Sequence, residues 1–375
     1  MRPTVPAVVL ALAAVVPATA GAATPTFAPY VSTPTGSGLG PGPAPLATVA
    51  ADLDADGRPD VVTAGDFGQG ELIALRNRGG GDFGAPARVP GTTGAQAVTA
   101  GDVDGDGDDD VVAMTATQLV VLRAQDGTLT AGARLGVQLG AQLQVVLTDQ
   151  DGDGDLDLAV PSFTTVQTFR NDGTGSFTAG PRVPVPGATS LSAVSPADLD
   201  GDAARDLLAA DGGTGVVHAL RGRPDSGYLV SGRVAAAGFG LEDVAAVDLD
   251  DDGRDDAAAI GSFSFTLATA LGDGRGGFRS PLATLRPGGS GPTSAGVGDL
   301  DGDGREDLVV STIATPAPVL RVHAGDGTVR PPLVASLPTG IAPQNPVIAD
   351  FTGDGRPDIV VAGPDRIDLL RNTTP

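Results

Sequence analysis

Seven nine-residue stretches place carboxylates at positions 1, 3, 5 and 9 of a glycine-rich turn. The first, DLDADGRPD over residues 52–60, supplies Asp52, Asp54, Asp56 and Asp60. The second supplies Asp102, Asp104, Asp106 and Asp110, and the third Asp149, Asp151, Asp153 and Asp157. Asp198, Asp200, Asp202 and Asp206 follow in the fourth, Asp248, Asp250, Asp252 and Asp256 in the fifth, and Asp299, Asp301, Asp303 and Asp307 in the sixth. The seventh keeps Asp350, Asp354 and Asp358 but has Thr352 at position 3. Four such groups converge only if the backbone curls tightly, which a glycine at position 6 permits. A hard divalent cation, needing six to eight oxygens, suits such a ring, and Ca²⁺ is the expected occupant. An ordinary acidic turn would not need alternate carboxylates, which repel one another when nothing neutralises them.

Other chemistry is sparse. His218 and His323 fall at different places in their units and are expected to be isolated strand residues. Asp66, Asp211 and Asp243, outside the acidic stretches, read as turn residues. There is no phosphate-cradling glycine loop, HExxH pattern or GxSxG elbow, so no catalytic constellation emerges and an enzyme is not expected. Arg76, Arg123, Arg170, Arg221 and Arg371 recur at one place in their units, which points to a repeated salt bridge or carbonyl bond, with anion binding as the alternative. Phe83, Phe177 and Phe278 also recur, and read as packing plugs.

The elements that must position these loops repeat with them, at starts 50, 47, 49, 50, 51 and 51 residues apart. Each unit reads as four short β runs: in the first, LATVA, DVVTAG, ELIALRNR and FGAPARVP, with the acidic loop between the first two. The seventh unit ends after three runs, but residues 24–34, TPTFAPYVSTP, match a fourth-run pattern. Pairing of the two chain ends would close a seven-bladed, all-β propeller of four-stranded antiparallel blades over residues 24–375. Kelch-type arrays and calcium-binding β-helices rank lower, the latter because their repeats are tandem nonapeptides.

The net charge of −23 is local, with 33 of the 46 acidic residues in the seven stretches. All 23 basic residues are arginine, and this balance argues against nucleic acid or anionic lipid as partner. Residues 1–20 have one Arg, an apolar run and a small-residue end, as in a secretory signal peptide cleaved after Ala20, Ala22 or Ala23. With no cysteine, disulfides cannot staple the chain, and the expected product is a secreted monomer.

The order of strand, DxDxDGxxD loop, DVVTAG-type strand, ELIALRN-type strand and GDF-type turn resembles the FG-GAP or VCBS repeats, best known from integrin α-chain propellers. The resemblance runs from Thr24 to the end. It implies a calcium loop between the first two strands of each blade, with ligands meeting the opposite rim, at turns such as 66–70 and 91–95. An EF-hand does not fit, because its position-12 carboxylate would here be Thr63 in a β run, leaving position 9 to take that role. By the same resemblance the position-7 backbone carbonyl adds a ligand, from Arg58, Asp108, Asp155, Ala204, Arg254, Arg305 and Arg356 in turn. Ala203 at position 6 of the fourth loop and Thr352 at position 3 of the seventh depart from the pattern, so those two sites are expected to bind Ca²⁺ more weakly. The expected function is a calcium-stabilised binding or adhesion module for a protein or surface polymer. A lectin is the alternative, and a polysaccharide lyase or hydrolase a third, since fold alone does not assign chemistry.

Overall fold

The structure, a computed structural model, describes residues 24–35, 47–64, 70–138, 144–224, 227–236, 240–279, 283–286, 291–312, 318–363 and 365–375. The expected leader and Asp66 lie outside these residues. The described residues form seven four-stranded antiparallel sheets, each a meander in chain order except the last. Blade 2 is typical: Ala95–Gly101, Asp110–Thr115, Gln118–Gln125 and Thr128–Gly136 run outward from the axis. Its two middle strands are apolar on both faces and almost wholly buried, whereas the outermost strand is largely exposed. That gradient follows from position, since middle strands are covered by a blade on either side.

Successive innermost strands pack against one another around the ring, and Thr48–Ala51 of blade 1 meets Gln344–Ala349 of blade 7 to complete it. Seven hydrophobic cores lie between adjacent blades. Blade 7 is finished as the sequence suggested. Val31–Pro34 pairs with Arg366–Leu370, with Val31 opposite Leu369 and Pro34 opposite Arg366. Phe27 bridges Asn372, and the Ala28 N–H donates to the Arg371 carbonyl at 2.9 Å.

An up-and-down meander puts the connection between strands one and two, and that between three and four, at the same end of a blade. All seven acidic loops therefore crown one rim, together with the end of each third strand. The turns between strands two and three form the other rim.

Candidate metal centres

Each acidic loop is wound on its own carboxylates. Position 1 anchors the curl: in six loops its Oδ2 accepts the N–H of the position-6 glycine at 2.7–3.1 Å. Position 5 accepts the position-7 N–H in all seven, at 2.9–3.1 Å. Position 9 is the first residue of the second strand and is only 0–2 % exposed in every loop. Its Oδ1 accepts an N–H from the end of the third strand, at 2.6–2.9 Å, in all seven blades. In four of them Oδ2 also accepts the N–H of loop position 2, and in the seventh it accepts that of Thr352 at position 3. The carboxylate expected only to ligate is thus also a strut joining the loop to the blade.

Two backbone positions, not one, need the left-handed region. The position-6 glycines have φ of 79–97°, as expected. Position 4 is left-handed too, in all seven loops, occupied by Gly105, Gly152, Gly201, Gly302 and Gly353 and by the non-glycines Ala55 and Asp251. At Ala203 the expectation is corrected in its reason. Ala203 does not adopt a positive φ at all, because a Cβ disfavours it. The loop relaxes instead, and the bond from position 6 to Asp198 is lost while Gly201 still donates to Asp198 Oδ1.

The loops bring their acids together. One oxygen from each of Asp52, Asp54 and Asp56, and of Asp149, Asp151 and Asp153, lies within 4.8 Å of the others. The same holds for positions 1, 3 and 9 of the second, fourth and fifth loops. Burial pushes the position-9 acids upward, Asp60, Asp206 and Asp307 to about 6 and Asp157 and Asp256 to about 7, against the pull of their N–H donors.

Four of the five recurrent arginines meet the position-3 acid. Arg76 pairs with Asp54 and Asp60, Arg123 with Asp104 at 2.5 Å and Asp110 at 2.9 Å, Arg170 with Asp151 at 2.6 Å, and Arg221 with Asp200. In blade 5, where Leu271 fills the equivalent place, Arg279 comes from the next turn to Asp250 and Asp252, each at 3.0 Å. In Asp54, Asp104, Asp151 and Asp250 the arginine takes Oδ2, and Oδ1 is buried without a hydrogen-bond partner. A bare, buried carboxylate oxygen facing other carboxylates is what a cation ligand looks like before a cation arrives. The residues present therefore fit a hard divalent ion. Arg371, opposite Thr352, has no carboxylate to meet, and its Nε is buried without a partner.

Sequence reasoning missed the residues that join the loops to each other. Asn77, Asn171 and Asn372 each follow the third-strand arginine place, and each side-chain N–H₂ donates to a carbonyl of its own loop and to position 2 of the preceding blade's loop. The inter-blade bonds reach Phe351, Val103 and Leu300 at 2.9, 2.8 and 2.7 Å. Position 8 is a second link: Asp109, Asp255 and Glu306 accept the position-1 N–H of the preceding loop at 2.8, 2.7 and 3.0 Å. The recurrent RN pair and the acids at position 8 were visible in the sequence, but nothing there says which blade they reach.

Both histidines lie in strands as expected, but Asp211 and Asp243, read from the sequence as turn residues, lie in strands too, Asp211 at the end of one and Asp243 within another. His218 and His323 are 1 % and 3 % exposed, and burial holds both below the usual histidine range. Asp211 accepts N–H bonds from Thr189, Ser190 and Gly213 and the Thr214 hydroxyl, which hold it below the usual carboxylate range despite burial. Asp243 accepts the Ala295 N–H at 3.0 Å, linking two innermost strands, and burial lifts it to about 6. It lines an axial cavity of about 670 Å³ walled by the innermost strands of all seven blades. Phe83 and Phe177 are buried in inter-blade cores and Phe278 packs against another, so all three are plugs.

A family profile described as FG-GAP-like repeat matches residues 52–113, 149–209 and 248–310. Each match starts at an acidic loop and runs into the second strand of the next blade. No curated protein matches the sequence. Among solved structures, an Agrocybe aegerita lectin recognising non-reducing terminal N-acetylglucosamine superposes with a TM-score of 0.57 at 20 % identity, covering 78 % of this chain and 80 % of that one. BBS1N, solved in complex with ARL6DN, gives 0.65 at 11 % identity, covering 93 % and 97 %. A Lactobacillus plantarum protein gives 0.58 at 16 %, covering 79 % and 85 %. At these identities the likeness is one of fold.

Proposed function

The chain is a seven-bladed β-propeller built from FG-GAP repeats, and on that premise we propose that it is a secreted, calcium-stabilised binding module for a protein or surface polymer. Ca²⁺ would be held by the carboxylates at positions 1, 3, 5 and 9 of the loops, with the position-7 carbonyl completing the shell. Extracellular modules bind Ca²⁺ at about 10⁻⁴ to 10⁻³ M. At ten times the dissociation constant each site adds about 1.4 kcal/mol, and seven approach ~10 kcal/mol, the scale of a protein's whole net stability. The ions' role in this reading is to hold the ring, and the partner meets the other rim.

One observation carries the choice of rim. Phe163, Phe263 and Phe265, at 52, 78 and 44 % exposure, are the large aromatic side chains besides Tyr30 that the described residues leave in solvent. All three sit in turns between second and third strands, away from the acidic crown. Exposed aromatics are costly to leave in water and common at binding surfaces. The test is capture from the surface material of the secreting cell, in Ca²⁺ and in chelator. Capture should need Ca²⁺ and should be lost in Phe263→Ser at unchanged melting temperature. Capture unaffected by that substitution removes the rim from the reading, and a melting temperature indifferent to chelator removes the calcium.

The lectin fold relative supports a second reading, in which these phenylalanines stack on sugar rings. Binding to a glycan array in Ca²⁺, lost in the same variant, would select it.

A further inference from the structure

We propose that the arginine paired with position 3 sets how tightly each loop holds its cation, and that the sixth loop, residues 299–307, which has none, is the tightest site. The inference rests on the reading that the loops take Ca²⁺. In blades 1 to 4 the guanidinium at the end of the third strand lies on the position-3 carboxylate, and in blade 5 Arg279 reaches the same carboxylate from another place in the chain. Two routes to one contact mark the contact itself as the thing being kept. Blade 6 keeps neither. Ala324 fills the third-strand place, and Asp299, Asp301, Asp303 and Asp307 make no ion pair among the described residues. The loop's own Arg305 turns away to Asp251 of the fifth loop, at 3.6 Å. Asp301 is 9 % exposed, and its Oδ2 is buried with no hydrogen-bond partner. In the first five loops that oxygen belongs to arginine.

The electrostatics run one way. A guanidinium beside the cage cancels one of four negative charges and repels the incoming divalent ion, and ligand charge is a main control on Ca²⁺ affinity. With it, the empty loop tolerates its like charges and binds weakly. Without it, the sixth loop presents four uncompensated carboxylates and gains most from a cation. The seventh, with Thr352 in place of an acid, has the fewest charges to offer.

Calorimetric Ca²⁺ titration of the full chain, with native mass spectrometry to count bound ions, tests the order. One equivalent should bind about tenfold more tightly than the rest. Asp301→Asn should abolish that class and leave the others, and Ala324→Arg should merge it with them. Arg123→Met should create a second tight equivalent, whereas Arg123→Lys, which keeps the charge, should not. Far-UV circular dichroism checks that each variant is folded, and the two arginine changes act in opposite directions, so a loss of fold cannot imitate the pattern. A tight class that survives Asp301→Asn, or equal affinity at every loop, overturns the arginine inference alone. No Ca²⁺ bound by the wild-type chain overturns the calcium reading beneath it.

Discussion

Gln150 stands at loop position 2, where the other six loops have Leu53, Val103, Leu199, Leu249, Leu300 and Phe351, all buried between blades. It is 0 % exposed, and neither its Nε2 nor its Oε1 has a hydrogen-bond partner. An amide held this way pays desolvation without return, so Gln150→Leu should stabilise the protein by about 1–2 kcal/mol. Urea denaturation in Ca²⁺ checks it, and a loss of stability would mean that the amide has a role in the third loop. The position-1, 3, 5 and 9 acids were legible because each loop repeats them. The position-2 plug was equally repeated, yet an apolar residue inside a polar loop names no neighbour until the next blade is in place.

At the scale of the loop, protons and Ca²⁺ should compete. Burial raises the folded-state value of the position-9 acids to about 6 or 7, above the 3.8 of the unfolded chain. Without metal, their contribution to stability is full below pH 3.8 and is lost as pH rises through 6 to 7. With Ca²⁺ bound the sign reverses, since a proton must displace the ion. The two buried histidines, held below 6.5, weaken the fold as pH falls below that value, but equally in both conditions. The drop in melting temperature caused by chelator should therefore be largest near pH 8 and shrink towards pH 5. Thermal melts across that range decide it, and a constant drop would disconnect the position-9 acids from the metal. The sequence located this element to the residue. The second left-handed position was marked by the glycines that recur at position 4, and what the sequence could not give was the strut to the third strand, because that depends on where the chain returns, as from Asp157 to Asn171 14 residues on.

For the whole molecule, the ring was legible from the count of repeats and from one orphan segment. Residues 24–34 matched a fourth strand and the last unit lacked one, and Val31–Pro34 fills that gap. Beneath it, Ile367, Asp368 and Leu369 are 0–1 % exposed, and Asp368 Oδ1 accepts the Ser32 hydroxyl at 2.6 Å. Deleting residues 24–35 should uncover that strand, lower the melting temperature by several degrees and cause concentration-dependent association through the bared edge. Differential scanning calorimetry with light scattering reads both, and an unchanged monomer would show that the seam is dispensable. The register of the seam, and the Phe83–Phe351 edge contact at 5.8 Å that packs blade 1 on blade 7, were beyond a reading of local pattern.

The same seam imposes an order in time. Ser32 and Asp368 are 336 positions apart, so a chain emerging from the ribosome has one half of its clasp long before the other. Until the final strand is released the molecule is an arc with two unfinished ends, and its slowest step should be the meeting of those ends. A cell that makes this protein must keep the growing arc from finding the ends of its neighbours.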